Sequence, residues 1–137
     1  MSAPQTPLLA ADCALFDPDR RVLLVTRANP PFKGHLALPG GFVEVGERVE
    51  DACRRELEEE TGIVANDLIL LGLWSDPARD PRGHVCSAVF AGTVPGGEPR
   101  GGDDAADAAW IGDWRAHDLA FDHADILEAA EALLFGD

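Results

Sequence analysis

A chain of 137 residues with 25 acidic and 11 basic side chains, for a formal net charge of −14, is ill suited to duplex nucleic acid, where affinity comes from clustered Lys and Arg on phosphates. The length fits one core and one domain, residues 1–137, and leaves no room for a catalytic domain beside a separate binding domain. Hydrophobic residues at 46% indicate a folded domain rather than an acidic tail, and no apolar run approaches the roughly 18 residues of a membrane span. The N-terminus lacks a basic region ahead of its short apolar run, so neither export signal nor anchor is expected. Cys13, Cys53 and Cys86 lie far apart among apolar neighbours, which points to a reducing cytoplasm and away from a disulfide framework or a zinc site.

Taken in chain order, LLAADCALF and RRVLLVTR read as two strands joined at Asp17-Pro18-Asp19, a hairpin. ANPPFKGHLALPGG follows as a loop leading to a short strand and a glycine turn at Pro39-Gly40-Gly41. From Val49 to Thr61 the spacing of Val49, Ala52, Cys53 and Leu57 predicts a helix, which Gly62 terminates. DLILLGLW and HVCSAVFAGTV are strands apolar on both faces, expected inside a covered sheet, with the polar loop SDPARDPRG between them. A glycine-rich loop, PGGEPRGGDDAAD, precedes a strand at AAWI. The last helix carries an Ile126, Ala130, Leu133 and Leu134 stripe, with Asp122 placed to cap it. Strands, helix, strands, helix imply an α/β fold, a mixed sheet with helices on its faces in an α/β/α sandwich.

The segment RRELEEETGI concentrates acids on the first helix. At about 100° per residue, Glu56, Glu59 and Glu60 share one face while Glu58 turns away with Arg54 and Asp51. The i,i+4 pair Glu56 and Glu60 costs about 0.2–0.5 kcal/mol in repulsion. Acids near a helix C-terminus forfeit roughly another 0.3–1 kcal/mol against the dipole. Breaking a local rule twice marks either a functional site or a solvated charged face. Convergent carboxylates match the oxygen ligands that Mg²⁺ prefers.

GFVEVGERVEDACRRELEEETGI resembles the Nudix box, G-x5-E-x7-R-E-U-x-E-E-x-G-U with U apolar: Gly41, Glu47, Arg55, Glu56, Leu57, Glu59, Glu60, Gly62 and Ile63 fill every specified position. The resemblance implies a Nudix fold with the box as loop, helix and loop. It also implies metal-dependent hydrolysis of a nucleoside diphosphate linked to another group, with Mg²⁺ as cofactor and Mn²⁺ able to substitute. It assigns Glu56, Glu59, Glu60 and the Gly40 carbonyl to the metal, with Glu47 and Arg55 in support. RANPPFKGHLALPGGFVE, SDPARDPRGH, GGDDAADAAWI and LAFDHADIL are similar to segments of the ADP-ribose pyrophosphatase branch, which implies ADP-ribose as substrate and a homodimer. Leu36 departs from that pattern, which has an aromatic there. The alternatives are hydrolysis of oxidised or non-standard nucleoside triphosphates to monophosphate and pyrophosphate, and a non-catalytic nucleotide-sensing Nudix domain.

Which carboxylate takes the proton from water stays open between a box glutamate and a loop acid; Glu98, Asp103 and Asp104 are the loop candidates, or else polar residues of a flexible hairpin. Arg27, Lys33, Arg79 and Arg82 are candidate contacts for phosphates or a terminal ribose, with surface solubility as the alternative reading. Phe32 is placed either to stack on a base or to anchor its loop. His84 and His123 are read as structural, since metal-assisted hydrolysis requires no histidine.

Overall fold

Alternation along the first strand sets the architecture. In a computed structural model describing residues 2–102 and 105–136, β1 (Leu8–Phe16) directs Ala11, Cys13 and Leu15 to one face and Ala14 and Phe16 to the other. Both faces are covered. On the first, Ala52, Cys53 and Leu57 of α1 (Val49–Thr61) pack against these side chains and against Leu23, Ala88 and Phe90. On the second, Ile126, Leu127 and Ala130 of α2 (His123–Phe135) pack against Val22, Leu24, Val89 and Ala91. Leu57 is fully buried, and its truncation to Ala would cost about 2–5 kcal/mol. The last helix is rotated from the expected stripe: Leu133 is exposed and Leu127 takes its place in the core.

The remaining strands are β2 (Val22–Arg27), β3 (Leu36–Ala37), β4 (Gly40–Phe42), β5 (Ile69–Trp74), β6 (Val85–Thr93) and β7 (Ala105–Ile111). Among the described residues they form one seven-stranded mixed sheet in the order β3-β2-β1-β6-β5, with β4 on β1 and β7 on β2. The β1–β6 pair is parallel, Leu8 to Phe16 against Val85 to Thr93, and every other pair is antiparallel. The expected hairpin closes at Phe16–Val22 and then opens, because β1 turns its Ala10–Asp12 stretch to β4. The first helix has the expected bounds and ends at Gly62, whose left-handed φ of 73° lets its N–H donate to the Glu58 carbonyl.

Two further expectations fail. Pro39-Gly40-Gly41 is no turn: Gly40 and Gly41 lie in β4, paired with Asp12 and Ala11. A Cβ on Gly40 would collide with the Asp12 carboxylate and the Ala11 carbonyl, and one on Gly41 would lie 2.6 Å from the Glu56 carboxyl carbon. The glycines serve close approach instead of chain reversal. Likewise β5 is an edge strand, and Ile69, Leu70 and Leu73 are exposed on it rather than enclosed. Among the described residues no helix is long and apolar enough to cross a membrane, and all three cysteines are free.

Candidate active site

The helix α1 brings Arg55 to the centre of an acidic cluster. Its Nε and Nη2 donate to the two Glu47 oxygens at 2.8 and 3.0 Å, a bidentate pair. Nη1 donates to Glu56 at 2.8 Å and to Glu59 at 3.3 Å, and Nη2 also reaches the Phe42 carbonyl at 3.3 Å. Glu47 lies in the loop before the helix, held by the Glu44 N–H at 3.1 Å. Hydrogen bonds from Arg55, then from that amide, keep its carboxyl down at about 2, and Glu47 and Glu56 in turn raise the guanidinium above its ordinary value. One cation thus hydrogen-bonds three carboxylates, with a fourth, Glu44, 4.0 Å away.

Glu56 and Glu60 turn inward from the same helix and line a cleft of about 530 Å³. Glu60 is buried and accepts the Gly40 N–H at 3.0 Å, while Glu56 lies directly over Gly41. Glu59 stands outside, its side chain 44% exposed against Arg55. So the structure brings Glu56, Glu60 and the Gly40 backbone together and leaves Glu59 at the rim; Glu58 is exposed, as its helical position implies. Among the described residues no three His, Cys, Asp or Glu side chains stand close enough to enclose a metal ion. The donor set is nonetheless all oxygen and suits a hard divalent cation that keeps waters or phosphate oxygens in its remaining positions.

The facing wall is built from distant segments. Arg79, whose side chain is 4% exposed, forks onto Asp122 with bonds of 2.9 and 2.6 Å. Burial disfavours the Arg79 charge, but the Asp122 bonds and the nearby carboxylates outweigh it and raise its pKa. Asp122 does stand at the start of α2, yet its carboxylate makes no cap bond and is committed to Arg79. Arg82 pairs with buried Asp80 at 2.8 Å, and the pair keeps that carboxyl below its ordinary range although burial pushes the other way. The segment before α2 lies along β3: the Ala120 N–H donates to the Leu36 carbonyl at 2.8 Å, and the Leu38 N–H to His123 Nδ1 at 3.0 Å. His123 Nδ1 is therefore an acceptor and Nε2 carries the proton; burial lowers the pKa and keeps the ring neutral.

Arg27, Arg55, Arg79 and Arg82 all line this cleft, so 4 of the 11 basic residues converge on it in an acidic chain. For Arg79 the solubility reading fails outright. Phe32 does not line the cleft; it packs edge-on to Phe121 at 4.9 Å, and Phe121 forms the wall. Lys33 is exposed outside it, His84 bonds the Ser75 carbonyl at 2.9 Å, and Glu98 lines a separate hollow with Asp17 and Trp110. Asp103 and Asp104 lie outside the described residues. Leu36 packs against the second core, and its strand neighbour Ala37 lines the cleft. Sequence reasoning missed Asp12, Asp80 and Phe121, which also line the cleft. Asp12 left a signal, an acid inside the buried strand LLAADCALF, where Ser87 now donates to it.

Comparison with known proteins accords with this geometry. A profile described as the NUDIX domain matches residues 6–131. The chain is 50% identical over 122 residues to an ADP-ribose pyrophosphatase of Methanocaldococcus jannaschii, covering 89% of this chain and 72% of the relative. It is 32% identical to an ADPR responsive transcriptional repressor, NtrR, of Acinetobacter baylyi, covering 94% of this chain but only 55% of the repressor. Among solved structures it superposes on the NUDIX domain of Shewanella oneidensis NrtR complexed with ADP ribose, with a TM-score of 0.89, 31% identity, and 95% and 90% of the two chains covered.

Proposed function

Since the chain belongs to the Nudix family of hydrolases, we propose that it cleaves the pyrophosphate of ADP-ribose, adding water to give AMP and ribose 5-phosphate. The observation that carries this reading is the cleft in which Glu56 and Glu60, with Arg55 beside them on the same helix, face Arg27, Arg79 and Arg82. A pyrophosphate diester is an anion, and attack on its phosphorus needs positive charge on both the shielding and the departing oxygens. The family relation and the oxygen donors support a divalent cation here, Mg²⁺ or Mn²⁺ in its place, held by Glu56, Glu60 and the Gly40 carbonyl with Glu59 at the rim. Such an ion polarises phosphate oxygens and acidifies a bound water. Arg55 orients Glu56, Glu47 fixes Arg55, and Arg27, Arg79 and Arg82 supply the guanidinium charge on the facing side.

ADP-ribose enters as substrate because the relative with half its residues in common is an ADP-ribose pyrophosphatase and a neighbouring NUDIX domain is complexed with ADP ribose. The test is a substrate panel with Mg²⁺ read by product identity. AMP with ribose 5-phosphate from ADP-ribose supports the reading, whereas monophosphate with pyrophosphate from oxidised nucleoside triphosphates alone replaces it. The ADPR responsive repressor among the relatives favours a second reading, a nucleotide sensor. Saturable ADP-ribose binding with Mg²⁺ present and no product after long incubation would select it. The same family reading makes the protein a homodimer, and exposed Ile69, Leu70 and Leu73 on the edge strand support it. Leu73→Glu is expected to yield a monomer by light scattering, and an unchanged mass would move the interface elsewhere.

A further inference from the structure

Two buried polar side chains of the cleft carry no role in the proposed hydrolysis. Asp12 of β1 is 9% exposed and His123 at the start of α2 is 3% exposed, and both line the cleft. The segment from Leu38 to Gly40 brings them together: the Leu38 N–H donates to His123 Nδ1 at 3.0 Å, and Gly40 pairs with Asp12 where β4 meets β1. Each side chain is anchored through one atom only. Ser87 of β6 donates to Asp12 Oδ2, and Oδ1 accepts no hydrogen bond among the described residues. A side chain at position 40 would fill the space beside Oδ1, and glycine leaves it open. With Nδ1 bonded to Leu38, the ring proton stands on Nε2, which has no partner among the described residues and is not sealed in the interior, so it opens on the cleft that the ring lines. Burial lowers the His123 pKa and the Asp12 charge is the foremost influence against it, as befits a carboxylate and a ring that are near neighbours.

We propose that Asp12 Oδ1 and His123 Nε2–H together read one hydroxyl of a ribose ring in the substrate, the hydroxyl donating to the carboxylate and accepting from the imidazole. An acceptor and a donor that face one space select a group that is both at once, and a hydroxyl is the smallest such group. A phosphate oxygen only accepts, and beside Asp12 it would meet like charge; Arg27, Arg79 and Arg82 are the partners for it. A cation would suit the carboxylate, but Nε2 points a proton at it. The inference deepens the proposed function and rests on it in one respect: ADP-ribose carries two ribose rings, each with free 2- and 3-hydroxyls. Its consequence is discrimination against a deoxy analogue, because a buried donor and a buried acceptor are both left unpaired when the hydroxyl is missing.

The test is calorimetry on the full chain with Mg²⁺ present, using ribose 5-phosphate, AMP and the 2- and 3-deoxy analogues of each. The wild type should bind at least one analogue about 10-fold more weakly than its parent, and the analogue affected names the ring and the hydroxyl. His123→Asn keeps an acceptor for the Leu38 N–H and loses Nε2, while Asp12→Ala removes the carboxylate. In both variants the parent should weaken about 10-fold and the gap between parent and analogue should close. His117→Gln, at an exposed histidine outside the cleft, should match the wild type. A merely structural role for either residue would leave the gap open, since a loss of folded protein acts on parent and analogue alike. A wild type that binds every analogue as tightly as its parent, or a gap that persists in either variant, would overturn the proposal. If the gap opens and closes as described while ADP-ribose is not hydrolysed, the catalytic reading falls and the hydroxyl-reading pair stands.

Discussion

The two walls of the cleft handle charge in opposite ways. On the α1 wall a single arginine, Arg55, is divided among Glu47, Glu56 and Glu59, and Glu60 lies buried beside them, so the wall carries excess negative charge. On the facing wall Arg79 pairs with Asp122 and Arg82 with Asp80, and Arg27 donates to the Pro31 carbonyl. The first wall leaves negative charge uncompensated by its own side chains; the two ion pairs of the second are closed within the fold. The proposed hydrolysis of an anionic diester would use both: acids to hold a cation against the pyrophosphate, and guanidinium groups already in position to bind its oxygens from the other side.

The largest expected effect lies on the unbalanced wall. Glu60→Gln keeps an acceptor for the Gly40 N–H but removes the charge, and kcat should fall about 10³-fold, near 4 kcal/mol of barrier. Its denaturation midpoint should hold or rise, because a buried like-charge neighbour of Glu56 is gone. A kcat within tenfold of wild type would remove Glu60 from the metal assignment. The balanced wall predicts the reverse, a structural loss. Asp122→Asn strands the buried Arg79 guanidinium and should cost about 3 kcal/mol by urea titration. Arg79→Met with Asp122→Asn together should cost less than the two singly added, and strict additivity would show that the pair does not act as a unit.

Cation addition gives an effect of the next size. Mg²⁺ at a hundred times its dissociation constant should stabilise the wild type by about 2.7 kcal/mol. Asp122→Asn should gain as much, since the proposed ion site is on the other wall, while Glu60→Gln should gain little. Equal stabilisation of all three proteins would place the ion outside the α1 wall.

The unbalanced wall was legible in the sequence because its geometry is local. Glu56, Glu59 and Glu60 sit on one helix whose period fixes their directions, and Glu47 meets Arg55 across a short loop. Even there the periodicity could not tell that Glu60 is buried and Glu59 half in water, which depends on how α1 packs on β4. The balanced wall was not legible. Arg79 and Asp122 are joined only when the loop before β6 meets the start of α2, and a helix start explains an aspartate too well to suggest a distant partner. Gly40 and Gly41 were misread for a related reason: glycine signals a turn locally, but here it lets two strands and a carboxylate approach, which only the fold reveals. The apolar run of β5 failed because hydrophobicity on both faces cannot distinguish a covered strand from an edge.

Acid gives the smallest effect, and it separates His123 of the balanced wall from the carboxylates of both walls by the pH at which each acts. His123 is held neutral on the balanced wall: burial lowers its pKa, the Arg79 and Arg27 charges act with burial, and Asp12 and Asp122 act against it. The unfolded ring takes a proton near pH 6.5 and the folded ring resists it, so stability is full above about 6.5 and declines as pH falls toward the folded value. Glu47 belongs to the other wall and is held ionised down to about 2. Its contribution is full above about 4.5 and is lost only as pH falls through the range below, as are those of Asp80 and Asp17, whose pKa values are also lowered. Urea midpoints taken from about pH 8 to 3 should therefore fall in two steps. His123→Asn should flatten the step between about pH 7 and 5 and leave the lower one, while Glu47→Gln should shrink the lower step alone. A wild-type stability that does not change between about pH 7 and 5 would mean that His123 accepts its proton in place, and the neutral ring on the balanced wall would have to be abandoned.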